Sequence, residues 1–194
     1  MTKKFVFFTK FLLIFGLVLF CMVVFPIKRN ISQTLYFDFN LDGVDETVQL
    51  KNGQVFVYSN SDKVFESDAD WDAEEILIGD FNNNGTVDLG VYLWKVGNYG
   101  EAKPFWVDEN DTSYKQHLFL YEWEGNGFKA LWHSSNLPFN NVQTELKDVN
   151  NDFENELVVI ERPYEWGHGK KGQSKAIWKW DEWGFVLLER NYLE

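Results

Sequence analysis

Cysteine is almost missing from this sequence, since the one cysteine, Cys21, lies inside an N-terminal apolar run. The rest of the chain therefore has no disulfide and no thiol chemistry. A domain that is exported without disulfides has to be stabilised by its apolar core or by bound metal. The scarcity of cysteine thus directs attention to hydrophobic packing and to metal ligands.

Positive charge is also scarce. The 194 residues include 18 Lys and Arg against 30 Asp and Glu, which gives a net charge of -12. Three of the lysines fall within residues 1–27, which contain no acid, so the remaining chain has 15 basic and 30 acidic side chains. Such an acidic body repels phosphate backbones and anionic lipid, and it attracts cations. We therefore expect no nucleic-acid partner.

The common catalytic signatures are absent from the sequence. It contains no G-x-S-x-G, no H-E-x-x-H and no Gly-Lys-Ser/Thr phosphate loop. One acidic run could indicate a hydrolase, but general acid–base catalysis needs a carboxyl group in an apolar pocket. We predict instead that this run is a solvated loop before a strand; it comprises Asp68, Asp70, Asp72, Glu74 and Glu75. We predict that the chain is not an enzyme.

Histidine and tryptophan give no compact site. His117 and His133 fall in strand-like segments and are expected in or beside the core, whereas His168 lies in a Gly/Lys-rich loop and is expected to be solvated. Most of the nine tryptophans are expected to be buried between sheets. Trp106 and Trp166 lie in loops and are the best candidates for surface binding. The alternative function is therefore a carbohydrate-active enzyme or glycan-binding protein that uses loop acids and these tryptophans.

The N-terminal segment is basic and then apolar over residues 11–27, about the shortest length that spans a bilayer. No small-x-small cleavage site follows it. We predict that residues 1–29 form an uncleaved signal anchor with one transmembrane helix, and that residues 30–194 form an extracytoplasmic β-repeat domain. The alternative is a cleaved signal peptide and a secreted protein. Basic residues flank both ends of the run, so the positive-inside rule decides little.

An acidic segment recurs three times along the body: "DFNLDGVDETVQL" from Asp38, "DFNNNGTVDLGVYL" from Asp80 and "DVNNDFENELVVI" from Asp148. Each segment places oxygen-bearing side chains at positions one, three, five and nine and then continues into an apolar stretch. The residues at these positions are Asp38, Asn40, Asp42 and Glu46; Asp80, Asn82, Asn84 and Asp88; and Asp148, Asn150, Asp152 and Glu156.

This spacing fits calcium, which takes six to eight oxygen ligands and tolerates irregular geometry. A tight loop can turn positions one, three and five inward, while a carbonyl near position seven and the acid at nine complete the shell. Position six is Gly43, Gly85 and Phe153, so we expect the third turn to be strained or differently shaped. Loop two has only two carboxylates and is expected to bind calcium more weakly than loop one. The other interpretation is that these loops are Asx turns that cap strand ends.

The motif D-x-[DN]-x-[DN]-G-x-x-[DE] resembles the calcium loops of FG-GAP/VCBS repeats, the blades of integrin-alpha-like β-propellers. The resemblance extends over about 150 residues, from about Thr34 onward, and Phe153 departs from it. It implies a propeller-like fold, bound Ca2+ and a role in binding or interaction.

Strand-like runs recur in three blocks of four, each with the acidic loop between its first and second strands. The expected fold is all-β, with three four-stranded antiparallel propeller-like blades; a β-sandwich is the alternative. Three blades are fewer than the usual minimum of about four. The units could close tightly, stack as an open array, or form a ring with a second copy of the chain.

The predicted function is that of a membrane-anchored, extracytoplasmic calcium-binding module. Its partners would be the membrane, through the N-terminal helix, and a surface protein or a glycan.

Overall fold

The computed structural model describes residues 29–98, 111–167 and 171–194. These residues form twelve β-strands and one turn of 3-10 helix, Tyr164–Trp166. Within these ranges, no helix has the length and apolarity needed to cross a bilayer. Nearly all of the predicted anchor, together with Trp106 and His168, lies outside the described residues.

The strands fall where the alternating apolar pattern places them. They are β1 Ser32–Phe37, β2 Glu46–Lys51, β3 Gln54–Ser59, β4 Asp62–Glu66, β5 Asp72–Gly79, β6 Asp88–Val96, β7 Tyr114–Glu124, β8 Gly127–His133, β9 Asn140–Lys147, β10 Glu156–Arg162, β11 Ser174–Asp181 and β12 Gly184–Tyr192.

The strands form three separate antiparallel sheets, each in simple sequence order. Sheet one contains β1 to β4, sheet two β5 to β8 and sheet three β9 to β12. The prediction of an all-β fold built from three four-stranded antiparallel units is therefore confirmed. A two-sheet sandwich does not describe this arrangement, because the strands divide among three sheets.

Tight hairpins connect neighbouring strands and fix their register. Asn52 and Gly53 join β2 to β3, and Asn60 and Ser61 join β3 to β4, all four with positive φ. Two positive φ angles in a two-residue turn match the right-handed twist of the flanking strands. Asparagine and glycine, which make up three of these four residues, tolerate that conformation best.

Sheet two lies between the other two sheets. One apolar cluster joins Val48 and Val57 of sheet one to Val91 of sheet two. A second cluster joins Tyr92 of sheet two to Val159 of sheet three. Successive residues of β6 thus face opposite neighbours, and β6 is buried along almost its whole length.

The prediction that the acidic run at residues 68–75 is a solvated loop before a strand is only partly correct. Asp68 and Asp70 are exposed, as expected for a solvated loop. Asp72, however, is buried and begins β5, so it belongs to the body of the sheet. The sequence pattern missed this because the positive group that allows the burial, Arg29, is distant in sequence.

His117 lies in the core, as predicted, whereas His133 is exposed at the end of β8 and contacts the core through one ring face. His117 is fully buried, with its Nδ1 3.1 Å from the carbonyl oxygen of Ser134. Burial lowers the pKa of His117. His133 stacks on Phe119, with 3.9 Å between the ring centroids. Neither ring takes part in the acidic loops, which lie at the ends of the strands.

Candidate functional site

The three acidic segments lie at the same place in each sheet, between its first and second strands. We call residues 38–46 loop one, residues 80–88 loop two and residues 148–156 loop three. Loops two and three touch, because the Asn83 side chain accepts a hydrogen bond from the Asn155 backbone N–H at 2.6 Å and donates to the Asn155 carbonyl at 3.1 Å. The end of the molecule that carries these loops is called the loop end below.

The aspartate at position one closes each loop in the same way. One of its carboxylate oxygens accepts from the backbone N–H at position five, and the other accepts from the N–H at position six. The two distances are 3.0 and 2.8 Å for Asp38, 3.1 and 2.8 Å for Asp80, and 3.3 and 3.0 Å for Asp148. The three loops therefore share one backbone path, although position six is glycine in loops one and two and phenylalanine in loop three.

Positions three and five form two further turns in every loop. In loop one, Asn40 Oδ1 accepts from the Asp42 N–H at 2.8 Å, and Asp42 Oδ1 accepts from the Val44 N–H at 2.8 Å. The same two bonds occur in loop two and in loop three. The Asx-turn interpretation of the sequence thus describes how each loop is held.

The acid at position nine is buried at the base of each loop. Glu46, Asp88 and Glu156 are the first residues of β2, β6 and β10, and at most 1% of their surface is exposed. Each accepts a hydrogen bond from the backbone N–H at position two, at 2.8, 3.2 and 3.0 Å respectively. A buried carboxylate is costly unless its oxygens are bonded or a cation lies nearby.

Loop one satisfies its buried acid with side-chain donors. Asn40 Nδ2 donates to Glu46 Oε1 at 3.0 Å and to Asp42 Oδ2 at 3.1 Å, and the Ser59 hydroxyl also donates to Glu46 Oε1, at 2.9 Å. Loop three repeats the two amide bonds from Asn150 to Glu156 and to Asp152, at 3.2 and 3.0 Å.

Loop two differs, because its buried acid is an aspartate, which is one carbon shorter than glutamate. Asp88 Oδ1 is buried and has no hydrogen-bond partner among the described residues. Burial raises the pKa of Asp88 to about 7. The hydrogen bond from the Phe81 N–H partly offsets this rise, and repulsion from Asp80 adds to it. A buried, unpartnered carboxylate oxygen with a second carboxylate nearby, that of Asp80, is suited to a cation.

Loop three already holds a cation of its own. Lys179, on β11, places its Nζ 3.2 Å from Asp152 Oδ2 and 2.7 Å from Glu154 Oε2. Hydrogen bonds to these two acids raise the pKa of Lys179. The role of Lys179 cannot be predicted from the sequence, because a lysine on an alternating strand gives no signal that it reaches a loop of the same sheet.

The third turn was expected to be strained or differently shaped because Phe153 replaces glycine. It is strained, and it keeps the shape of the other two turns. Phe153 has a φ of 70°, close to the conformations of Gly43 at 88° and Gly85 at 85°. Its side chain is 98% exposed, so no packing offsets the cost of this conformation.

The residues predicted as metal ligands therefore come together loop by loop, linked by hydrogen bonds to their own backbone. No three His, Cys, Asp or Glu side chains within the described ranges converge as a metal-binding group. Each loop draws part of its oxygen from asparagine instead, and that mixed set of hard oxygens matches the preference of Ca2+. Comparison of the chain with protein-family models, with curated proteins and with solved structures found no match.

Proposed function

We propose that this chain is a membrane-anchored, extracytoplasmic module whose three sheets act as propeller-like blades and whose loops bind Ca2+. Its role is binding or interaction rather than catalysis. The observation that carries the proposal is the buried acid at position nine of every loop, and above all the unpartnered Oδ1 of Asp88.

Charge gives calcium a physical role in this arrangement. The position-nine acid of every loop is buried, and in loop two the position-one acid Asp80 lies close enough to Asp88 to repel it. Ca2+ would offset their mutual repulsion and supply the partner that Asp88 Oδ1 lacks. An ion that binds only the folded chain stabilises it by about 2.7 kcal/mol when its concentration is 100 times the dissociation constant.

The three loops differ in how well they suit the ion. Loop one offers Asp38, Asp42 and Glu46, and no basic side chain pairs with them among the described residues. Loop two has fewer carboxylates, but it contains the unpartnered Oδ1 of Asp88. In loop three, Lys179 competes with any added cation. We expect loops one and two to be occupied before loop three.

The outer faces of sheets one and three are candidate surfaces for binding partners. Both sheets pack on sheet two through one face. A second copy of the chain could cover an outer face and complete a ring, which would make the protein a homo-oligomer. A surface protein or a glycan is the other partner class, and exposed Trp166 and Trp183 are suited to stack on a sugar ring.

Calcium titration of the full chain in mild detergent tests the proposal. We expect heat of binding by calorimetry and a rise in melting temperature that Mg2+ does not reproduce, because Mg2+ demands near-octahedral geometry. Asp38→Ala should remove the binding event of loop one and Asp80→Ala that of loop two. Absence of both heat and thermal shift with calcium would refute the metal proposal. Loss of glycan turnover in an acid variant with unchanged calcium affinity would instead establish an enzyme.

A further inference from the structure

The first described residue of the chain, Arg29, is fixed to sheet two. Its backbone N–H donates to Asp72 Oδ1 at 3.1 Å, and its guanidinium Nε lies 3.6 Å from Asp72 Oδ2. The guanidinium also pairs with Glu74. Two carboxylates of β5 therefore hold both the main chain and the side chain of one arginine.

Aromatic rings complete the contact. The Arg29 guanidinium carbon lies 4.8 Å from the ring centroid of Trp94, which stacks on Tyr114 at 5.6 Å. The Tyr114 hydroxyl donates to Asp72 Oδ2 at 3.3 Å. A planar guanidinium between carboxylates and an indole face is a strong arrangement, because Arg bonds at its edge and stacks on its face. We call Arg29, Asp72, Glu74, Trp94 and Tyr114 the Arg29 clamp.

The clamp lies at the opposite end of the sheets from the acidic loops. Asp72 begins β5, whereas β5 ends at Gly79, directly before loop two. Asp88 of loop two begins β6, and Trp94 comes six residues later in the same strand. At about 3.3 Å per residue, the clamp and the base of loop two are about 20 Å apart.

Very little chain separates the clamp from the apolar run. The run covers residues 11–27, so Lys28 is the one residue between it and Arg29. One residue spans at most about 3.6 Å. If residues 11–27 are held in a bilayer, the clamp must therefore lie at the surface of that bilayer.

We propose that the Arg29 clamp seats its own end of the body on the lipid headgroup layer and directs the three acidic loops away from the membrane. This inference rests on the proposed membrane anchor. The side chains near the clamp suit the headgroup region, where Trp and Tyr are enriched. Exposed Val96 and Trp166 lie at this end together with Lys115, and the exposed acids Asp68, Asp70, Asp111 and Glu165 lie there as well.

Fluorescence quenching tests the orientation in the full chain. Cys21→Ser removes the native thiol, and a fluorophore is then attached to Val96→Cys at the clamp end or to Val44→Cys in loop one. The two valines are matched, since they are 57% and 50% exposed. The protein is reconstituted into phosphatidylcholine vesicles that carry a headgroup spin label. We expect quenching at position 96 to exceed that at position 44 by about threefold or more, because about 20 Å separates the ends.

Arg29→Gln isolates the clamp. We expect it to lower the ratio of the two quenching values towards one, because only the backbone N–H bond to Asp72 then remains to hold residue 29 on sheet two. Arg190→Gln is the matched control: Arg190 pairs with Glu161 and lies over the rings of Phe139 and Trp178, away from the tether. It should leave the ratio unchanged.

The outcomes separate the two proposals. Failure of the chain to sediment with vesicles would overturn the membrane anchor, and the orientation with it. Sedimentation with equal quenching at both positions would overturn the orientation alone. A high ratio that survives Arg29→Gln would show that the clamp does not set it.

Discussion

Phe153 occupies a position that loops one and two give to glycine. Its left-handed φ of 70° costs a residue with a Cβ about 1–2 kcal/mol, and its exposed ring packs on nothing among the described residues. The five shared hydrogen bonds of the loop impose this conformation whichever residue is present. The sequence motif located the strain correctly, because the loop path follows from the Asp and Asn positions.

Phe153→Gly should stabilise the chain by about 1 kcal/mol, since relief of the left-handed strain exceeds the extra entropy of an unfolded glycine. Urea unfolding in the presence of a calcium chelator measures this change. Gly85→Ala is the reverse control: a Cβ at residue 85 meets no atom within 4 Å, so its expected cost of about 1 kcal/mol comes from φ alone. A neutral or destabilising Phe153→Gly would contradict this explanation.

Other residue-level features could not be read from the sequence. The burial of Asp72 depends on Arg29, 43 residues earlier, and the charge on loop three depends on Lys179, 27 residues after Asp152. Neither pair has a local spacing that marks it. Periodicity reports which face of a strand is buried, but it does not report which distant cation makes a buried acid tolerable.

At the scale of elements, loops two and three act as a joined pair. The Asn83 side chain bonds to both backbone groups of Asn155, and Asn155 Nδ2 donates to the carbonyl of Asp80 at 3.2 Å. The equivalent residue of loop one is Leu41, which also has positive φ but is exposed. Loop one is therefore not tied to its neighbour through this position.

Asn83→Gly keeps the backbone conformation available and removes both bonds to Asn155. We expect a loss of about 2 kcal/mol in unfolding free energy, at about 1 kcal/mol for each bond. Asn151→Gly is the matched control, because Asn151 has the same loop position and a φ of 64°. Equal losses for the two variants in urea unfolding would show that the bonds between the loops contribute nothing.

The elements themselves were the most predictable part of the chain. All twelve strands follow from the strand-like runs of the sequence, and the grouping into fours follows from the repeated loops. The contact between loops two and three cannot be predicted from the sequence. It requires the relative placement of two sheets, which no strand pattern specifies.

At the scale of the whole molecule, sheet two supports both of its neighbours. Leu120 is fully buried in the cluster shared with sheet three, while Val91 serves the cluster shared with sheet one. A chain arranged in this way should unfold as one unit, since loss of sheet two exposes both clusters.

Leu120→Ala should therefore lower the unfolding free energy by about 2–5 kcal/mol, with coincident transitions by tryptophan fluorescence and circular dichroism. Leu187→Ala provides a leucine control on β12, where the side chain is 41% exposed, and it should cost much less. Two separated transitions would show that the sheets unfold independently.

The N-terminal and C-terminal sides of the three-sheet body are not equivalent. An additional repeat unit would therefore have different effects at the two sides. A fourth unit inserted before Ser32 would separate Arg29 from Asp72. The later units would then no longer be held in a fixed orientation relative to Arg29. A unit appended after Glu194 would leave that junction intact and could cover Val186 and Leu188, which β12 now exposes. Lengthening of such a protein would thus be tolerated at its C-terminal side.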